Sequence, residues 1–136
     1  MTQPPDIDEL MPLLKRAKAE DTGHGDVTSE AVIDEGATAR GTLVAKEPGV
    51  VCGLFLLEPL ATLYDVSLEV EGHGEDGSRV SEGDVVAGVV GPARSLLAME
   101  RVALNFLQRL SGIATLTRAF VDAVQGTSAK ILDTRK

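Results

Sequence analysis

The chain changes its hydrophobic pattern sharply at Gly91-Pro92. Before that dipeptide, residues 37–90 read as short alternating or β-branched runs divided by turns; after it, apolar residues recur at helical spacing as far as Val124. Runs that short must share a core with the helices around them. The expected architecture is a compact β-rich sandwich flanked by helices.

Residues 39–45 read as a strand with Glu47-Pro48-Gly49 as its turn, residues 66–70 alternate strictly, and Gly83-Asp84 separates β-branched runs around Val80 and over 85–90. Residues 50–63 keep Leu54, Leu57, Leu60 and Leu63 at helical spacing, which predicts a helix broken or bent near Pro59. A first helix is expected over 6–19, with Asp6 and Glu9 as a capping pair and Pro12 as a point of kinking. The glycine rhythm of GSRVSEGDVVAGVVGPA also occurs in biotinyl and lipoyl carrier domains. Lys46 lacks the methionines that flank a carrier lysine, so the shape is kept and the swinging arm set aside.

A net charge of −8 over 136 residues excludes nucleic acid and anionic membrane surfaces as general partners, because both need a positive field. Any bound anion must meet a local group of cations. The single cysteine, Cys52, excludes an intramolecular disulfide, and no apolar run approaches the ~20 residues that span a bilayer. With no cationic-then-apolar leader, a cytoplasmic home is the expectation. His24 and His73 sit beside glycines in polar stretches and read as loop residues. Glu20, Asp21 and Asp26 flank another glycine turn, which is open to a metal-binding reading or, more ordinarily, to that of a solvated loop.

Beyond Gly91-Pro92, a helix is expected from Ser95, burying Leu96, Met99, Ala103, Phe106 or Leu107, and Leu110. Arg101, Asn105 and Gln108 form a stripe at i, i+4 and i+7 on another face. One cation and two amides suit a carboxylate or phosphate; the plainer alternative is a solvated face. Ser111-Gly112 is expected to interrupt the helix, with Ser111 capping a second one that buries Ile113, Leu116, Phe120 and Val124 and ends at Gly126. Residues 129–132 then read as a strand ending in Asp133-Thr134-Arg135-Lys136, a hydroxyl and two adjacent cations suited to an anion. A lone parallel strand cannot satisfy its backbone, so residues 113–136 imply further α/β units or pairing with another chain.

Together, ERVALNFLQRLSGIATLT at 100–117, AKILDTRK at 129–136, EDTGHGDVTS at 20–29 and VAKEPGVVCG at 44–53 resemble the quinolinate phosphoribosyltransferases, also called nicotinate-nucleotide pyrophosphorylases (carboxylating). The resemblance implies a mixed α+β and α/β fold: an N-terminal, hammerhead-like α/β sandwich over 1–110, then the first helix and strand of a truncated C-terminal α/β barrel over 111–136. It implies transfer of a phosphoribosyl group from 5-phosphoribosyl 1-diphosphate to quinolinate with decarboxylation, giving nicotinate mononucleotide, carbon dioxide and diphosphate for NAD synthesis. A homodimer with a shared active site, and in some cases a higher oligomer, is implied as well. By the same resemblance Arg101 reaches across the dimer to a quinolinate carboxylate, Arg135 binds quinolinate beside Thr134, and Lys136 is a substrate-binding and catalytic charge. Asp133 orients its neighbours, and Asn105 and Gln108 pack at the interface. Magnesium is implied with the diphosphate, its ligands lying beyond residue 136, so no turnover is expected of these 136 residues alone. Two other readings remain: a phosphoribosyltransferase-like paralogue of the molybdenum-transport-associated type with another acceptor, and a non-catalytic sandwich-type binding or carrier module.

Overall fold

The computed structural model describes residues 5–72 and 74–134. Helices α1 (Ile7–Thr22) and α2 (Val27–Val32) precede strand β1 (Thr38–Val44) and the two-residue β2 (Gly49–Val50). A 3₁₀ turn over Leu54–Leu56 leads into α3 (Leu57–Tyr64), and β3 (Glu69–Glu71), β4 (Arg79–Val80) and β5 (Val85–Pro92) follow. The last helix, α4 (Ala93–Ala123), has 31 residues.

The strands form two small antiparallel sheets that share a core with the helices, which is the mixed helix-and-strand fold expected. In the larger, β5 lies between β1 and β3, with Gly41 opposite Val89, Leu43 opposite Ala87, and Val70 opposite Val89. Alternation then places Ala87 and Val89 toward the helices, both buried. The smaller sheet pairs only Gly49 with Val80 and Val50 with Arg79. The core joins this sheet face to α3 through Leu57, Leu60 and Ala61, to α4 through Met99, Val102, Ala103 and Leu107, and to α1 through Leu14. Helix α4 crosses the sheet closely at Gly41, where an added Cβ would lie 3.3 Å from Leu96 Cδ2. The predicted core face of α4 is thus present, with Val102 in addition.

Helix α1 forms as expected, running through Pro12 with the Asp6 carboxylate accepting from the Asp8 amide at 3.0 Å. The run 50–63 behaves otherwise. It leaves β2, turns at buried Gly53 with φ +107°, and enters the 3₁₀ turn, whose amides at Leu54 and Phe55 donate to the Asp76 carboxylate at 2.9 and 3.1 Å. Pro59 falls in the first turn of α3, where its missing N–H has no intrahelical partner to lose, so it opens the helix instead of bending it.

Ser111-Gly112 does not interrupt α4. Ser111 Oγ accepts from the Cys52 amide at 2.9 Å and donates to its carbonyl at 3.2 Å, while Thr115 Oγ1 accepts from the Val50 amide at 2.9 Å. Four helical residues rise ~6 Å and two extended residues ~6.6 Å, so hydroxyls at i and i+4 match backbone groups two residues apart. They serve segment 50–52 as a neighbouring strand would. Thr115→Val keeps the side-chain shape and strands the Val50 amide, which is expected to lower unfolding free energy by about 1–2 kcal/mol. Urea denaturation reads this directly, and an unchanged midpoint would show the bond to be dispensable.

The end of the chain departs furthest from the reading above. Residues 128–134 form no strand, and Ile131 and Leu132 are exposed. The stripe expected to be buried is open to solvent, with Ile113, Leu116 and Phe120 each more than half exposed. A ladder needs an edge to pair with and an apolar stripe needs an opposing layer, and the described residues offer neither here.

Candidate functional site

Arg101 lies on the outer face of α4, opposite the core residues Met99, Val102 and Ala103. Its side chain is 75% exposed, and Nη1 sits 3.3 Å from Oδ1 of Asp21, a carboxylate that is only 20% exposed. No hydrogen bond from the guanidinium accompanies this ion pair among the described residues, which leaves its donors free. One and two turns further along α4, exposed Asn105 and Gln108 continue the stripe read from the sequence. They line a groove of about 820 Å³ between the end of α1 and α4, together with Glu20, Asp21 and Arg109. Arg101 lines an adjoining hollow that shares Asn105 and Gln108.

Helix α1 brings the acidic side of this site, because its last turn carries Glu20 and Asp21 before Gly23 ends it. Asp26 follows as the N-cap of α2, accepting from the Ser29 hydroxyl at 2.5 Å and the Ser29 amide at 3.2 Å. Those bonds hold its carboxyl below the usual range, and the charge of Arg101 adds to the effect. Arg94 closes the other end of α2 by donating to the Ile33 carbonyl. Asp21 and Asp26 are therefore each engaged, and among the described residues no group of three or more His, Cys, Asp or Glu is placed to hold a metal ion.

Beneath the acidic turn, Lys18 reaches the Leu63 carbonyl at 2.8 Å and lies 4.8 Å from the centre of the Tyr64 ring. Burial raises the Tyr64 phenol. Thr22 beside it pulls the other way but gives its own proton to the Lys18 carbonyl at 2.6 Å, and the phenol has no hydrogen-bond partner among the described residues.

Of the other residues singled out above, Asp133 and Thr134 are exposed in a segment without regular structure, and Arg135 and Lys136 lie outside the described residues, as does His73. No hydrogen bond or ion pair among the described residues joins Thr134 to Arg101. Two features of the groove escaped sequence reasoning. Arg109 was not singled out, although its position at i+8 from Arg101 keeps it near the same face. The pairing of Asp21 with Arg101 joins opposite ends of the chain and leaves no local signal.

The model of the family described as quinolinate phosphoribosyl transferase, N-terminal domain, matches residues 26–111. The probable nicotinate-nucleotide pyrophosphorylase (carboxylating) of Bacillus subtilis (strain 168) is 40% identical over 128 residues, a match covering 94% of this chain and 44% of the relative. The chloroplastic nicotinate-nucleotide pyrophosphorylase (carboxylating) of Oryza sativa subsp. japonica is 43% identical, covering 94% and 34%. The crystal structure of NadC from Streptococcus pyogenes superposes with a TM-score of 0.94 at 39% identity, over 98% of this chain and 48% of that one. The chain spans between about a third and a half of the length of these relatives.

Proposed function

Because the chain belongs to the quinolinate phosphoribosyl transferase N-terminal domain family, we propose that it supplies the substrate-closing half of an enzyme that makes nicotinate mononucleotide from quinolinate and 5-phosphoribosyl 1-diphosphate. The observation that carries this reading is the exposed guanidinium of Arg101 beside the amides of Asn105 and Gln108, which also line the groove that Arg109 reaches. Quinolinate has two carboxylates, and a planar fork with free donors matches one of them through paired charge-assisted bonds.

In this reading residues 1–110 form the sandwich, and residues 111–136 begin a barrel whose mouth the sandwich of a partner subunit covers. Homodimerisation follows from that arrangement, since Arg101 then serves its neighbour's barrel, where Thr134, Arg135 and Lys136 meet the same substrate. Asn105 and Gln108 offer polar contacts at the junction. The chain's own contribution is binding and orientation: it holds the pyridine nitrogen in line with the sugar carbon from which diphosphate departs. Once that nitrogen carries the sugar it is cationic, and its charge stabilises the electron pair left on the adjacent ring carbon when the carboxylate departs as carbon dioxide; that pair then takes up a proton. Cations placed around the carboxylates fix the ring for both steps.

Magnesium belongs to the diphosphate in this proposal, and the described residues do not fit it: they gather no set of three ligands. No step is therefore assigned to it here. No described helix is long and apolar enough to cross a membrane. A cytoplasmic enzyme of NAD biosynthesis is the proposed setting, although a relative is named chloroplastic. None of the relatives named above is a carrier domain, and nothing favours the carrier role for Lys46.

The test uses the complete gene product that contains these residues, supplied with 5-phosphoribosyl 1-diphosphate and either quinolinate or nicotinate. Formation of nicotinate mononucleotide and carbon dioxide with quinolinate alone is the expected outcome. Product from nicotinate instead, or from neither acceptor, would refute the proposal.

A further inference from the structure

Asp21 is an acid in the last turn of α1, where the negative end of the helix dipole disfavours it and no basic residue offsets it. Glu20 precedes it, which adds like charge. Its carboxylate has one partner among the described residues, Arg101, and that partner's side chain is 75% exposed. A pair so open to water contributes little to folding. The chain therefore places a locally unfavourable charge where its return in stability is small. Such a placement is expected where a side chain serves a site.

The geometry accounts for the placement. Asp21 is itself largely covered, so it is the fixed member of the pair, and Arg101 is the long, free one. The nearest approach is Nη1 to Oδ1 at 3.3 Å and no hydrogen bond joins the two side chains, so the N–H donors of the guanidinium remain available to a planar acceptor. Untethered, an exposed arginine samples many rotamers, and ordering it on binding costs affinity. We propose that Asp21 is a positioning residue for Arg101: its charge holds the guanidinium beside the groove and leaves the N–H donors free for an incoming carboxylate. The proposal rests on the assignment of Arg101 to quinolinate above and extends it to a residue on another helix.

The experiment compares Asp21→Asn, Asp21→Glu, Arg101→Ala and the Asp21→Asn/Arg101→Ala double variant in the complete gene product, reading KM for each substrate, kcat and thermal midpoint. Asp21→Asn is expected to raise the quinolinate KM roughly three- to tenfold and leave the KM for 5-phosphoribosyl 1-diphosphate in place. Its thermal midpoint should stay within about 3 °C of the parent, and Asp21→Glu should recover part of the loss. Added to Arg101→Ala, Asp21→Asn should change nothing further, because the tether then has nothing to hold. If Arg101→Ala raises the quinolinate KM and Asp21→Asn does not, or if the Asp21→Asn effect persists without Arg101, the positioning role is wrong while the assignment of Arg101 stands. A large drop in midpoint for Asp21→Asn, unrelieved in Asp21→Glu, would make the residue structural. An unchanged quinolinate KM in Arg101→Ala overturns the assignment of Arg101 itself, and the positioning role with it.

Discussion

Replacing Arg101 by alanine is expected to lower kcat/KM for quinolinate by a few hundredfold while leaving the fold intact. Each charge-assisted bond from a guanidinium is worth about 1.5–3 kcal/mol, and a paired contact in a partly solvated groove falls toward the lower end, at about 3–4 kcal/mol in all. At about 1.4 kcal/mol per factor of ten, that is the loss stated. Stability should barely move, because the guanidinium is 75% exposed and its pair with Asp21 is worth less than about 1 kcal/mol. Arg101→Lys keeps the charge and loses the fork, so it should recover only part of the activity. Steady-state kinetics with each substrate varied separate the effect, which belongs to quinolinate and not to the phosphoribosyl donor. A loss of less than about threefold would remove Arg101 from the site.

The second large effect is on folding. Leu60 has no exposed surface and sits on α3 within the core formed by α1, α4 and the inner face of β5. Truncation to alanine removes buried methyl groups and leaves a space that packed neighbours on several elements cannot close, at a cost of about 3–5 kcal/mol. Domains are held by only about 5–15 kcal/mol, so Leu60→Ala should shift the urea midpoint far to low denaturant or leave a fraction unfolded without it. Leu13→Ala on α1 is the comparison, because Leu13 is 49% exposed and its removal should cost less than about 1 kcal/mol. Similar losses at the two positions would show that the core is not centred where the structure puts it.

Much of this architecture is legible in the residues because its signals are local. Helix α1 announces itself through Asp6 and its apolar spacing, β1 through alternation, β5 through its β-branched run, and the core face of α4 through Met99, Ala103 and Leu107. The misreadings share one cause, in that a residue's ordinary local meaning was overridden by a distant partner. Pro59 by its local pattern breaks or bends a helix, yet β2, Gly53 and the capping carboxylate of Asp76 move the helix start up to it. Ser111 beside Gly112 has the local pattern of a cap, yet the backbone of Cys52 claims its hydroxyl from the side and α4 continues. Ile113, Leu116 and Phe120 have the spacing of a buried stripe, but spacing does not supply the surface that buries it.

The candidate site divides along the same line. Sequence alone determined that Arg101, Asn105 and Gln108 share one face of a helix, because a helix turns at a constant angle per residue. The same residues carried the family resemblance that the comparisons then established. Only tertiary structure decided that the end of α1 lies against that face, that Asp21 pairs with the guanidinium, and that Asp26 feels its charge. Charge pairing across such a separation depends on how helices pack around Leu14, Leu57 and Leu60, a property of the whole core that no window of sequence contains.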